Sequence, residues 1–240
     1  MLQHNVLYLG DCLDIMQSIE DKSVDMILCD LPYGVTARNK WDCIIPFDKL
    51  WEAYERIIKD NGAIVLTATQ PFASLLVNSN INLFKYEWIW EKTKKTGFLN
   101  AKKQPLRNHE QVLVFYKNQP TYNPQGISKI EKLCNRGNDP DGVGSNYNSA
   151  NPIYTQTQTG YPVSVLKISS EGNTVHPTQK PIKLFEYLIK TYTNENDLIL
   201  DNCVGSGTSC IAAINTNRRY IGIEKDEKYF EIAKERVCNV

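Results

Sequence analysis

The chain has 240 residues, 42% of them hydrophobic, which suits one large globular domain or a core carrying a modest insertion. Its 27 basic and 27 acidic residues cancel, so net charge gives no pull towards nucleic acid, and any such surface has to come from local segregation of charge. The seven cysteines are scattered, odd in number and without a Cys-x-x-Cys pair, which argues for reduced thiols, no metal site and a cytoplasmic setting. No signal-type start and no apolar run of membrane length is present.

In chain order, Val6, Leu7 and Tyr8, then residues 24 to 29, then 63 to 68 read as short buried strands. Between the second and third, residues 47 to 59 carry Leu50, Trp51, Tyr54, Ile57 and Ile58 at helical spacing, with Asn61-Gly62 as the stop. That is a strand-helix-strand unit of a parallel α/β sheet. Strands are expected again at 86 to 91 and 111 to 116. The periodicity fails from about 118 to 172, a stretch rich in Asn, Gly, Pro, Ser, Thr and Tyr, so an insertion is expected there. Regular structure resumes with a helix from Pro181, a strand at 198 to 200, a helix from Thr208, a strand at 220 to 223 and a helix at 227 to 237.

Three segments carry chemistry. Strand 198 to 200 runs into Asp201-Asn202-Cys203-Val204-Gly205-Ser206-Gly207-Thr208, where glycines let backbone approach a ligand and a helix opens. It lacks the Lys of a P-loop and the third glycine of a dinucleotide site, and Gly-x-Gly alone is also an ordinary tight turn. Glu224, at the end of the next strand, stands where doubly wound sheets put a carboxylate on ribose hydroxyls. The second segment is Asp30-Leu31-Pro32-Tyr33, at the carboxyl end of strand 24 to 29. By itself Asp-x-Pro-Tyr is a common turn. As a site, the Asp30 carboxylate and the Leu31 carbonyl could accept both protons of an exocyclic amine and free its lone pair, with the Tyr33 ring stacked on the base. The third is His176-Pro177-Thr178-Gln179-Lys180-Pro181, either a capped linker or a carboxylate-binding corner at a helix start.

The order of an Asp-Pro-Pro-Tyr-like loop, a variable insertion, His-Pro-Thr-Gln-Lys-Pro and Gly-Ser-Gly-Thr resembles the permuted β group of DNA amino-methyltransferases, which modify adenine N6 or cytosine N4. The resemblance implies a circularly permuted, Rossmann-like class I methyltransferase fold. Residues 1–117 form a catalytic half, 118–172 a target-recognition insertion and 173–240 the cofactor half of one domain. It implies S-adenosylmethionine as cofactor and Asp30, Leu31, Pro32 and Tyr33 as the catalytic loop. Asp201, Gly205, Ser206, Gly207 and Thr208 become the cofactor turn, with Glu224 on the ribose and Thr178 with Lys180 on the methionine carboxylate. Asp11, in Gly10-Asp11-Cys12, is either the group meeting the cofactor adenine or a helix N-cap. Two departures stand out: Leu31 where the family usually has Pro, and Asn202-Cys203 in place of Pro-Phe, which removes an aromatic wall from the cofactor pocket.

Lys92, Lys94, Lys95, Lys102, Lys103 and Arg107 fall in one interval without an acidic residue, around Gly97-Phe98-Leu99-Asn100. They read as a phosphate-contacting surface or a solvated charge run, and Arg38 and Lys40 could meet the backbone beside a flipped base. The expectation is a site-specific methyltransferase acting on adenine N6 of double-stranded DNA by direct displacement, because Asp at the head of the loop goes with adenine in this family and Ser with cytosine. Cytosine N4 methylation, or a silent DNA-binding relative, are the alternatives. Partners implied by the resemblance are a second copy of the chain and a cognate restriction endonuclease. Tyr122, Tyr147, Tyr154 and Tyr161, in the insertion, are candidate base readers or subdomain packing.

Overall fold

A computed structural model describes residues 2–34, 43–135, 153–172 and 179–240. Arg38, Lys40, Tyr147, His176 and Thr178 lie outside them. The chain divides into two units, 1–123 with 164–240, and 124–163.

The larger unit is built on an eight-stranded sheet. In chain order its elements are β1 (Val6–Leu9), α1 (Cys12–Met16), β2 (Val24–Cys29), α2 (Phe47–Ile57), β3 (Ile58–Ala68), α3 (Phe72–Ser79), β4 (Phe84–Thr96) and β5 (Arg107–Phe115). After the smaller unit, whose β6 (Ser128–Asn135) and β7 (Ile153–Thr159) pair antiparallel, come β8 (Val165–Lys167), α4 (Ile182–Tyr192), β9 (Leu198–Asp201), α5 (Thr208–Asn215), β10 (Arg219–Glu224) and α6 (Glu227–Cys238). The strand order is β1-β10-β9-β2-β3-β5-β4-β8, with β5 alone antiparallel to its neighbours. This is the doubly wound, permuted arrangement that the motif order implies.

Strand β2 shows why the sheet is covered on both faces. Ile27 and Cys29 face a cluster with Leu50, Tyr54 and Phe72, whereas Met26 and Leu28 face one with Leu184, Leu188 and Ala212. All four are fully buried, the pattern of a parallel strand between two helical layers. Strand β9 is followed outward by β10 on one side and β2 by β3 on the other, so the switch point lies between β9 and β2, which pair at Met26↔Ile199 and Ile27↔Leu200. Loops leaving the carboxyl ends of these two strands face a shared crevice.

Strands β4 and β5 extend beyond the expected 86 to 91 and 111 to 116, and two further boundaries differ for a clear physical reason. Helix α2 stops at Ile57, because Ile58 pairs directly with Val24; residues 59–62 then bulge before the ladder resumes at Ala63↔Met26. Gly62 sits in that bulge for lack of space: a Cβ there would lie 2.8 Å from the Asp25 carbonyl. At the other end of the insertion, β8 joins the main sheet beside β4, so residues 164–172 pack with the larger unit. Among the described residues, no helix is long and apolar enough to cross a membrane.

Candidate active site

The loops after β2 and β9 and the end of β10 open onto one cleft of about 480 Å³, lined among others by Asp11, Asp30, Tyr33, Lys180, Ser206 and Glu224. Of the sequence-predicted site residues, Leu31, Pro32, Gly205 and Thr208 also line it. Asp201 lies beneath, 4% exposed, and Gly207 makes the turn into α5.

The cofactor-type turn is built by two glycines in left-handed conformation, Gly205 at φ 53° and Gly207 at φ 82°. A Cβ on Gly207 would press on Ala233 of α6 at 3.2 Å, so glycine also lets that helix close. Asp201 braces the turn: its Oδ1 accepts the Cys203 amide at 3.0 Å and its Oδ2 the Ser209 hydroxyl at 2.5 Å. Burial pushes the Asp201 carboxyl up to about 6. Glu224 is 9% exposed; its Oε1 accepts the amides of Lys225 and Asp226 at 2.9 and 2.8 Å, and its Oε2 that of Gly205 at 2.8 Å. With two acceptor sites per oxygen, one on Oε2 remains for a hydroxyl. Burial raises the Glu224 carboxyl despite these three donors. The Thr208 Oγ1 is buried in the cleft wall with no hydrogen-bond partner among the described residues, a polar atom that a ligand can satisfy.

Asp11 is the N-cap of α1, accepting the Leu13 amide at 3.0 Å, and also pairs with Lys225 at 2.9 Å; the Lys225 ammonium holds its carboxyl below the usual range. It caps the helix and lines the cleft at once. Asn202 is accounted for by packing: its Oδ1 accepts the buried Tyr54 hydroxyl at 2.5 Å, across from α2. Where an aromatic wall was missed at 203, Phe185 and Tyr229 line the same cleft from α4 and α6. None of the seven cysteines is in a disulfide, and Cys29 is pushed to about 12 by burial.

At the loop after β2, Asp30 Oδ1 accepts the Tyr33 hydroxyl at 2.7 Å and the Thr67 hydroxyl, while Oδ2 accepts the Lys180 ammonium at 2.6 Å. The Tyr33 ring stacks on Phe72, centroids 5.0 Å apart. Burial, then the charges of Asp30 and Glu110, hold the Tyr33 hydroxyl protonated. Lys180 is only 5% exposed and pairs a second time, with Glu110 Oε2 at 3.3 Å. The sequence pointed Lys180 at a ligand carboxylate; among its partners here are two carboxylates of the chain. Glu110, on β5, was missed because a single Glu in a strand carries no motif. Lys92, counted among the phosphate contacts, turns inward to Glu110 at 2.8 Å. The other five, Lys94, Lys95, Lys102, Lys103 and Arg107, are exposed around the β4–β5 tip.

Tyr122 packs against Tyr192 at 6.1 Å in the larger unit, and Tyr154 and Tyr161 are exposed in the smaller one. Among the described residues no cluster of His, Cys, Asp and Glu could hold a metal ion.

Known proteins fit this picture. The chain is similar to the type II methyltransferases M.HpaI of Haemophilus parainfluenzae, 28% identical over 96% of this chain and 73% of that protein, and M2.MboI of Moraxella bovis, 29% identical over 96% and 86%. Its structure is similar to the M1.HpyAVI–SAM complex, with a TM-score of 0.65, 25% identity and coverage of 96% and 98%. PvuII DNA methyltransferase (cytosine-N4-specific) shares the fold at a TM-score of 0.72 with 17% identity, covering 98% and 87%. The family model N6_N4_Mtase, described as DNA methylase, matches residues 24–235, a span running from the first residue of β2 into α6. The chain therefore belongs to the DNA methylase family of S-adenosylmethionine-dependent enzymes that methylate adenine N6 or cytosine N4.

Proposed function

We propose that this chain methylates adenine N6 at a specific site in double-stranded DNA, by direct displacement on a base turned out of the helix. The observation that carries it is the convergence of the Asp30 loop and the Gly205 to Thr208 turn on one cleft at the sheet's switch point. When bound, S-adenosylmethionine supplies an electrophilic methyl group on a sulfonium. The free acceptor site on Glu224 Oε2 suits a ribose hydroxyl, and the partnerless Thr208 Oγ1 suits a polar group of the same ligand. The likeness to the M1.HpyAVI–SAM complex supports this cofactor.

Asp30 and the Leu31 carbonyl accept hydrogen bonds from the two amine hydrogens of the target base, so that the nitrogen lone pair is free to attack; the new nitrogen–methyl bond replaces the methyl's bond to sulfur, and one proton then leaves the nitrogen. Of the Asp30 oxygens, Oδ2 has the open acceptor site, because Oδ1 already takes two hydroxyls. Tyr33 offers its ring, already backed by Phe72. Leu31 in place of Pro leaves its carbonyl unchanged.

DNA approaches along the carboxyl edge of the sheet. Strand β4 runs parallel to β2 and β3, since both β3 and β4 are antiparallel to β5. Its tip therefore leaves the sheet on the same side as Asp30, beyond the irregular stretch between Glu91↔His109 and Thr96↔Arg107. That arm carries Lys94, Lys95, Lys102, Lys103 and Arg107, with Phe98 67% exposed and Leu99 fully so at the end. Basic residues beside an apolar tip suit a phosphate backbone and an opened base step. Arg38 and Lys40 belong to the same reading, the stretch 118–172 serves as the reader of sequence, and Thr178 joins the cofactor contacts. A homodimer and a restriction endonuclease of the same specificity, in the cytoplasm, complete it.

The test is to incubate unmethylated duplex DNA with methyl-labelled cofactor, hydrolyse it and identify the labelled nucleoside. N6-methyladenine is expected. N4-methylcytosine would move the target to cytosine, and no label with retained DNA binding would mark a silent relative.

A further inference from the structure

We propose that Glu110 is a positioning residue for methyl transfer: it holds Lys180 so that the ammonium fixes the orientation of the Asp30 carboxylate. This inference rests on the methyl-transfer reading above. Four side chains from distant parts of the sequence form an alternating row, with Lys92 to Glu110 at 2.8 Å, Glu110 to Lys180 at 3.3 Å and Lys180 to Asp30 at 2.6 Å. All are well shielded, with side-chain exposures of 10%, 13%, 5% and 20% in that order along the row. Two positive and two negative charges balance within it.

A buried ammonium with two carboxylates at hand has little reason to leave them for a ligand. Lys180 takes one face of Asp30 Oδ2, which dictates where on that oxygen the target amine can donate. Glu110 stands on β5, a strand paired on both sides, so its position is set by the ladder at Trp90↔Glu110 rather than by a loop. The catalytic loop thus takes its aim from the sheet. Thr67, on β3, steadies the other oxygen.

Among the described residues, the charged and titratable groups around Lys180 include Asp30 at the end of β2, Glu110 on β5, Lys92 on β4 and the Tyr33 hydroxyl, with Asp201 of β9 beyond Asp30. Burial pulls the Lys180 ammonium down, but Asp30 and Glu110 outweigh it and raise it overall. Neutralising Glu110 removes one of the two supports, so Lys180 should lose its proton at lower pH.

The experiment compares the wild type with Glu110→Gln, Glu110→Asp and Lys92→Gln in single-turnover methyl transfer from pH 6 to 10. Cofactor affinity is measured by calorimetry and the Lys180 titration by NMR. Glu110→Gln should slow transfer about 100-fold, the scale of a misplacement near 1 Å. It should also draw the alkaline limb to lower pH and leave cofactor affinity unchanged, with Glu110→Asp recovering part of the rate. An unchanged rate and alkaline limb overturn the proposal. A loss of cofactor affinity at unchanged saturated rate also does, since it would put Lys180 on the methionine carboxylate. If Glu110→Gln does not fold, Lys92→Gln decides: loss of the anchor on Glu110 should slow transfer, while removal of a competing positive charge should move the alkaline limb to higher pH, and an unchanged rate and limb overturn the proposal. Should the wild type act on no DNA, the methyl-transfer reading fails on its own. The NMR titration still judges the row, which is refuted if Lys180 titrates at the same pH with and without the Glu110 charge.

Discussion

Replacing Asp30 by Ala tests the catalytic loop and the charge row together. The substitution removes the carboxylate 2.6 Å from Lys180 and leaves that ammonium, 5% exposed, with Glu110 at 3.3 Å as its remaining carboxylate partner. Breaking a buried pair costs about 3–5 kcal/mol when one charge is abandoned. Because Glu110 stays, the lower end, about 3 kcal/mol, is expected, or roughly 6–12 °C in Tm for a chain of this size. Adding Lys180→Met removes the stranded charge and leaves Glu110 paired with Lys92 at 2.8 Å, so the double variant should recover at least half of the loss. Methyl transfer should fall on the order of 1000-fold in both, the scale of losing one preorganised polar group at a reacting centre. Cofactor affinity should hold, since the Gly205 turn and Glu224 belong to β9 and β10. Thermal denaturation, calorimetry with the cofactor and single-turnover transfer at 25 °C read these out. The reasoning is refuted if Asp30→Ala keeps more than a tenth of the wild-type rate, or if the double variant is no more stable than the single one.

Tyr33→Phe removes one donor from Asp30 Oδ1 but keeps the stack on Phe72 and the Thr67 hydroxyl. It should cost about 1–2 kcal/mol in urea denaturation with little change in KM for DNA, whereas Tyr33→Ala should raise that KM. Changing Lys94, Lys95, Lys102 and Lys103 to Gln should reduce the slope of log affinity against log salt by about 0.9 for each phosphate no longer neutralised, measured by fluorescence anisotropy. For Asp201, the folded carboxyl near 6 lies above its unfolded value of 3.8, so the folded state binds the extra proton between these limits. Stability from this group is therefore fully present below pH 3.8 and lost as pH rises through about 6, by about 3 kcal/mol at 1.36 kcal/mol per unit. Asp201→Asn can still accept the Cys203 amide and should escape that loss, gaining on the wild type between pH 4 and 7 in denaturant titrations.

The sheet was legible where apolar runs were short and bounded, as in β2, β5, β9 and β10, because burial on both faces leaves a continuous run that turn residues interrupt. Strand β8 was hidden: three residues with one buried side chain, Leu166, in a polar stretch give no period to read. The end of α2 was placed late because Ile58 fits the helical stripe as well as the strand that claims it. In the site, motif order located the Asp30 loop and the glycine turn, since each is local in sequence. The row from Lys92 to Asp30 was illegible for the opposite reason, as its partners come from four separate segments and only the closed sheet brings their charges within reach.

The pairing of β2 with β9 has a consequence for the chain as it is made. Residues about 170 apart must meet there, and the ribosome adds roughly 5–20 residues per second, so β2 waits on the order of 10–30 s for its neighbour to emerge. Throughout that interval a strand apolar on both faces has one unpaired edge, and the Asp30 loop has no Gly205 turn opposite it. The nascent protein is thus prone to sticking before its cleft is complete, since Tyr229, on the helix after β10, is among the last of the lining residues to emerge.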